Sequence, residues 1–492
     1  MKKTLVRLGT VLLLLLLTLI PLDAADAAEK PTSPVSVELD LPKAAEGFAE
    51  GTVTVTLDPN SPAADLIELF WGAEDGKPLK GYGLLARIRP SGYAITEDDG
   101  SITQKGDPAD PTVITLPEGL IIPDGAVSVL AFTENERGKS AYVAAPLPET
   151  AVAFTLGEPI LEFQAVSDLH LTGENDHEHT RHVSAMLGDI ARNSPDSVGI
   201  MAVGDIAHNG AAGQYKQMLS LASRTKNLPP VVYLIGNHDY IDGNDEFLDF
   251  VDNGGLWFDK WIDGYHFIYL ALVDGDYRTP MPEEEVAWLR EKLAEDADPT
   301  KPIFLFCHEG IINTVAGCSE EEDWWGITNG EEIGRILADY PQAIFFSGHT
   351  HWELLSENEY YPADERMCNG FNTASVGYLW TALDYVGGVK QTGSEGLYVT
   401  VYDNGVTLVQ GRDFTTKKWV AGAQYAVYAP TDAPLADAAE TEAVTETEDT
   451  ESVSVPVVEN EAVSFILPVV LVICGFVLAI AILVIILTGR KQ

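Results

Sequence analysis

Residues 344–352 read IFFSGHTHW, and the architecture turns on how this stretch is read. Two histidines, His349 and His351, stand one residue apart where a short apolar run ends. In an extended strand, residues i and i+2 point to the same side. Ala343 to Phe346 has the character of a buried strand, and Ser347-Gly348 marks its exit into a loop. Both imidazoles are therefore expected at a strand's carboxyl end, where open α/β sheets bind their ligands. Taken alone, the motif favours a plainer reading, two polar residues opening a surface loop.

The surrounding sequence changes that balance. From about residue 158, apolar runs such as ILEFQAVSD, VGIMAVGD, PPVVYLIGNHD, GYHFIYLALVD and KPIFLFCHEG alternate with segments of helical period. EHTRHVSAMLGDIARN, AGQYKQMLSLASRT, EEEVAWLREKLAED and EEIGRILADY are the helical ones, and the alternation predicts layered α/β architecture. Asp403-Asn404-Gly405 predicts a hairpin turn near the end of this region. Five of the strand ends carry residues able to bind metal: Asp168/His170, Asp205/His208, Asn237/His238/Asp239, His308/Glu309 and His349/His351. Six of the ten histidines fall in these motifs, so all five ends are expected on one rim of one sheet.

Imidazole and carboxylate donors suit zinc, manganese or iron rather than calcium. Two such ions, ~3.5–4 Å apart, would polarise both the attacking and the leaving oxygen of a phosphoryl group. Four positive charges, less those of Asp168, Asp205 and one bridging hydroxide, leave a pocket that attracts a phosphate anion. An acidic protein can therefore still handle phosphate esters.

The order DxH…GDxxH…GNHD…H…GHTH resembles the calcineurin-like metallophosphoesterase superfamily, over roughly Ile160 to Tyr428. The resemblance implies a sandwich of mixed sheets flanked by helices, with a dinuclear site at the sheet edge. It implies that Asp168, His170 and His351 hold one divalent metal ion (manganese, iron or zinc) and Asn237, His308 and His349 the other. Asp205 would bridge them, a metal-bound hydroxide would attack phosphorus, and His238 would serve the leaving-group oxygen. Many members have an acidic residue at the position of His208, where it orients the histidine equivalent to His238. The superfamily's protein phosphatases have an arginine where this chain has Asn209-Gly210, which disfavours protein phosphatase activity. Its purple acid phosphatases place a metal-binding tyrosine at the His208 position and lack the DxH histidine, so an iron-tyrosinate centre is not expected.

Outside this region the chain divides further. Residues 1–28 read as a signal peptide, with Lys2, Lys3 and Arg7 before an apolar core and a small-residue cleavage site. Residues 29–157 alternate apolar and polar residues in short runs, predicting an all-β sandwich of immunoglobulin or fibronectin pattern before the phosphoesterase domain, 158–428. Residues 429–462 are acidic and lack lysine and arginine, as expected of an extended stalk. Residues 463–488 carry no charge and are long enough to cross a ~30 Å hydrocarbon core. Arg490 and Lys491 would then hold the tail, 489–492, in the cytoplasm. A formal net charge of -45 argues against nucleic-acid binding.

Several residues are ambiguous. His177, His179 and His182 read first as a solvated helix start, second as lining of a substrate entrance. Cys307 reads as a small apolar core residue. Cys318 and Cys368 are the plausible disulfide pair in an exported domain. Trp324, Trp325, Tyr378, Trp380 and Tyr385 read as packing before they read as a rim that stacks on substrate. The expected partner is a small phosphate ester, with the membrane engaged through the C-terminal helix. The alternative is a surface binding protein on a phosphoesterase fold that has lost turnover, and His208 is the feature that favours it.

Overall fold

The computed structural model describes residues 29–428, apart from 62, 97–101, 241–242, 252, 273–279, 296–297, 320–325 and 382–388. The described residues fall in one compact unit. The signal, stalk, span and tail lie outside them, as do Trp324, Trp325 and Tyr385. Among the described residues no helix is long and apolar enough to cross a membrane.

The apolar runs of the second half form two six-stranded sheets. The first runs in the order Val231–Tyr233, Ile200–Ala202, Pro159–Val166, Glu395–Tyr402, Val406–Asp413, Lys418–Tyr428. Its first three strands are parallel and the rest antiparallel. The second runs Phe258–Ile262, Tyr265–Tyr269, Ile303–Phe306, Ala343–Ser347, Asn369–Asn372, Tyr360–Tyr361, with its four middle strands parallel. Side chains along a strand alternate between faces. In Ile303–Phe306, Phe304 and Phe306 enter the core between the sheets, while Ile303 and Leu305 meet the helices outside. Both faces are thus filled, which is why such runs are apolar throughout.

Phe163, fully buried on the central strand of the first sheet, joins the two layers. Its ring lies edge-on to Phe267, Phe304, Phe306 and Phe346 of the second sheet, with centroids 4.8–5.9 Å apart. Helices Glu178–Asn193 and Ala212–Arg224 cover the outside of the first sheet through Met186, Ile190, Met218 and Leu221. Glu283–Ala294 and Gly330–Ala338 cover the second through Leu289, Leu293, Ile333 and Leu337. The Asp403–Gly405 turn joins two antiparallel strands as its sequence predicts.

The expectation of five strand ends on one sheet needs correction. Three belong to the first sheet and two to the second, and they meet at the shared edge of the sandwich. A run apolar on both faces does not show which strand it will pair with, so its sheet cannot be read locally.

Upstream, residues 36–146 form short strands whose pairings are all antiparallel. One sheet joins Ser36–Asp40, Gly51–Thr56 and Thr112–Leu116, and another joins Val143–Pro146, Ser128–Asn135, Leu66–Gly72 and Ala86–Ile88. Val53, Val55, Leu69, Trp71 and Ile114 are buried in the same core cluster as Phe163. Backbone bonds stitch these strands' loops to the edge strand Lys418–Tyr428: Gly83 N–H to Trp419 O at 2.7 Å, Trp419 N–H to Gly81 O at 2.9 Å, and Ala426 N–H to Gly119 O at 2.9 Å. An edge that would otherwise be open to foreign strands is covered.

Phe163→Ala leaves a void between the sheets and is expected to cost about 3–5 kcal/mol of stability, read by urea unfolding of the full chain. A loss below about 1 kcal/mol would show that the sheets do not depend on this contact.

Candidate metal centre

The loops leaving these strands are bent by unusual backbone. Asp168, His170, Asp205, His349 and His351 all have left-handed φ, at 55°, 45°, 52°, 70° and 60°. Residues with a Cβ seldom adopt this region, and each costs about 1–3 kcal/mol unless its surroundings impose it. Here cross-loop hydrogen bonds do so. Asp168 N–H donates to Gly204 O at 3.1 Å, His170 N–H to Asp205 O at 2.9 Å, and Trp380 N–H to His351 O at 2.9 Å. The glycines of the motifs are there for clearance. A Cβ on Gly204 would stand 2.4 Å from His308 Nδ1, and one on Gly236 would stand 2.3 Å from Asp205 Oδ1.

The structure brings all seven residues of the sequence-based ligand set together. His170 Nε2 and His351 Nε2 are 3.1 Å apart, and His351 Nε2 is 3.0 Å from Asp168 Oδ1. Asn237 Oδ1 is 3.2 Å from His308 Nε2 and 3.1 Å from His349 Nδ1. Asp205 Oδ2 lies between the two groups, 3.5 Å from His170 Nε2 and 3.4 Å from His308 Nε2. Burial opposes ionisation of Asp205, but the imidazoles of His308 and His170 hold its carboxyl below the usual range. Asp168 is likewise held low against burial by His351 and His308.

Hydrogen bonds fix which nitrogens can bind a cation. His308 Nδ1 donates to Val203 O at 2.8 Å, and His351 Nδ1 donates to Tyr378 O at 3.1 Å. A carbonyl only accepts, so each Nδ1 carries the hydrogen and Nε2 is the nitrogen left to bind a cation. Asp168 Oδ1 is buried without a hydrogen-bond partner. An ionised oxygen in that state is costly unless a cation takes it. Two ligand atoms about 2.1 Å from one ion and at right angles to each other sit about 3 Å apart, which is the spacing of the two Nε2 atoms. The donor set fits divalent metal ions, and Asp168/His170/His351 and Asp168/Asp205/His308 are groups able to hold them.

Around the cluster, several side chains act differently from expectation. His238 Nδ1 donates to the backbone carbonyl of His208 at 2.8 Å. The orienting role assigned to an acidic side chain at position 208 thus falls to the main chain, which any residue there supplies. Asp239 is the residue that sequence reasoning left without a role. It accepts from Ala207 N–H (2.8 Å), Ile206 N–H (3.1 Å), Gly236 N–H (3.0 Å) and Tyr215 OH (3.0 Å), fastening the Asp205 loop to the Asn237 loop. Burial, and then the Asp205 charge, pushes its carboxyl up to about 7. Its place in GNHD was the available signal.

His179 and His182 are not solvated. His179 is buried and its Nδ1 donates to His170 O at 2.9 Å, and His182 Nδ1 donates to Gly377 O at 2.8 Å. His177 caps their helix, its Nδ1 accepting from His179 N–H at 3.2 Å. The Tyr378 ring packs 4.3 Å from His351. Cys307 is buried in the outer core. Cys318 and Cys368, both buried, are not joined by a disulfide, which corrects the suggested pairing. Both side chains pack in the apolar layer beneath the second sheet's helices.

Residues 163–353 match the family model for the calcineurin-like phosphoesterases. The chain carries a calcineurin-like phosphoesterase domain. The comparisons support a hydrolase acting on ester bonds, and calcineurin-like phosphoesterases use a dinuclear metal centre. A probable cyclic nucleotide phosphodiesterase of Rhodopseudomonas palustris is 23% identical over 209 residues, covering 39% of this chain and 72% of the relative. Among solved structures, a purple acid phosphatase of yellow lupin aligns over 81% of this chain and 74% of its own, at 13% identity and a TM-score of 0.42. A phosphopantetheinyl hydrolase of Mycobacterium tuberculosis aligns over 45% of this chain and 92% of its own, at 17% identity and a TM-score of 0.28.

Gly236→Ala would drive a methyl group into Asp205 and the ring of His308. It is expected to lower affinity for manganese about 10–100-fold, read by metal analysis after dialysis. Full retention of metal would show that the two loops have room to part.

Proposed function

We propose that this chain is an exported, membrane-tethered phosphoesterase that hydrolyses a phosphate mono- or diester outside the cytoplasm. One observation carries the reaction: a single carboxylate oxygen of Asp205 within 3.5 Å of imidazole nitrogens from both ligand groups. Asp168, His170 and His351 would hold one divalent ion, Asn237, His308 and His349 the other, and Asp205 both. Such a pair supplies charge neutralisation for the phosphoryl group and a water nucleophile at neutral pH.

The chain's own residues do the rest. Asp205 Oδ1 accepts from His238 N–H at 2.8 Å, so the residue that holds the metals also fixes the backbone of His238. With Nδ1–H bonded to the carbonyl of His208, the Nε2 of His238 is the atom left to serve the leaving oxygen. His208 no longer favours a binding protein without turnover, because its carbonyl does the orienting. The R. palustris relative brings phosphodiesters, cyclic nucleotides among them, into the candidate substrates.

The export reading rests on the basic and apolar pattern of residues 1–28, the acidic segment 429–462 and the uncharged stretch 463–488. We take residues 29–157 as an immunoglobulin- or fibronectin-like domain acting as spacer or binding module. Its support is the all-antiparallel pairing of its strands.

The full-length chain loaded with manganese is expected to hydrolyse bis-p-nitrophenyl phosphate or p-nitrophenyl phosphate. Chelation should abolish turnover, and Asp205→Asn should lower kcat/KM at least about 100-fold. Turnover indifferent to both treatments would rule out the metal reading. For location, protease added to intact expressing cells should remove the catalytic region while leaving a membrane-bound C-terminal fragment. Full protection would contradict the proposed orientation.

A further inference from the structure

Beside the metal cluster stands a group of side chains that hydrolysis of a simple ester does not use. Lys390 Nζ lies 3.6 Å above the ring of Tyr378, which packs 4.3 Å from His351 and 5.4 Å from His179. His177 meets His179 edge-on at 4.4 Å. The His208 ring is 5.6 Å from His238 and 5.7 Å from His170. The His170 ring, 5.5 Å from Tyr378 and 6.3 Å from His179, joins these neighbours. Burial comes first in holding His179 and His208 below the ordinary imidazole range, and both also feel His177 and Lys390.

The chemistry of this group is that of a donor set for an anion. The chain has 75 acidic residues against 30 basic ones, yet Lys390 pairs with no carboxylate among the described residues. His177 uses its Nδ1 lone pair on His179 N–H, which leaves its Nε2–H to donate. His208 lends His238 only its carbonyl, so its ring is available. His208 stands beside His238, where the leaving oxygen departs, while Lys390 and His177 stand over Tyr378 and His179, the neighbours of His170 and His351 rather than of His308 and His349.

We propose that Lys390, His177 and His208 form a second anion subsite, taking a leaving group that carries its own negative charge, as the departing phosphate of a phosphoanhydride does. The proposal rests on the phosphoesterase reading above. In the reaction the water oxygen forms the new P–O bond, and the bridging P–O bond breaks with its electron pair kept by the leaving oxygen. The proton that the water loses balances the one that His238 gives up. The leaving group's charge is offset by Lys390, whose amine keeps its proton throughout.

The test uses the manganese-loaded full-length chain and two esters that differ in the charge of one leaving group, phenyl 4-carboxyphenyl phosphate and phenyl 4-carbamoylphenyl phosphate. The carboxylate ester is expected to be cleaved with a kcat/KM about fivefold higher, a preference lost in Lys390→Met and kept in Lys390→Arg. No preference in the wild type, or equal losses on both esters in Lys390→Met, would overturn the subsite and leave Lys390 a brace on Tyr378. Calorimetric titration with inorganic pyrophosphate and phosphate needs no turnover. Lys390→Met should weaken pyrophosphate about fivefold more than phosphate, and equal weakening overturns the proposal. A wild type that cleaves neither ester but shows this pyrophosphate difference would sink the phosphoesterase reading and keep the subsite.

Discussion

The carboxylate of Asp205 is the constraint on which the site depends. One oxygen accepts the backbone N–H of His238, and the other lies between His170 and His308. Four loops from two sheets must therefore converge to within hydrogen-bonding distance of one another. Every ion-pair partner of Asp168 and Asp205 among the described residues is a histidine rather than a lysine or arginine. Protein cations would fill the coordination space and neutralise the pocket. Protonated histidine stabilises the carboxylates, and on losing that proton it offers a nitrogen lone pair to metal.

The rest of the architecture holds this convergence in place. Left-handed backbone at five positions of the candidate metal centre is tolerable only where the surrounding bonds leave no alternative. Those bonds run between the motifs themselves and to groups around them: to Asp239, to the helix bearing His179 and His182, and to the loop around Tyr378. Arg87 on an N-terminal strand binds both oxygens of Glu353, at 2.7 and 2.6 Å, two residues beyond His351. Thr381 Oγ1 donates to the same carboxylate at 2.6 Å. The N-terminal strands are thus structurally continuous with the loop that carries a ligand.

What the sequence disclosed follows from locality. The helices Glu178–Asn193, Ala212–Arg224, Glu283–Ala294 and Gly330–Ala338 were legible because the apolar spacing of an amphipathic helix is written within a few turns. The ligand-bearing strand ends were legible because glycine clearance and metal chemistry restrict the residues allowed there. The division of strands between two sheets was hidden, since IFLF and AIFFS satisfy either neighbour. The strand Asn369–Asn372, with its polar ends, lacks the apolar signature of its parallel neighbours and went unread. The part played by His208 was hidden for another reason: a backbone carbonyl has no letter in the sequence. His179 and His182 resembled a wet helix start because a buried imidazole bonded to a carbonyl looks the same in sequence as one facing water.

The central strand Pro159–Val166 pairs on one side with Ile200–Ala202, soon after it in the chain, and on the other with Glu395–Tyr402, near the end of the described residues. The first loop of ligands hangs from that strand. Loop closure over such a span is slow and earns no contacts until it is complete. Little of the site can therefore form while the chain is still being made. Metal held at this candidate site would select for molecules that have already closed the sandwich, and its free energy would add to theirs alone. Ions bound there would act late, as a latch on the finished topology, and a chain that stops short of its last strands would have nothing to offer them.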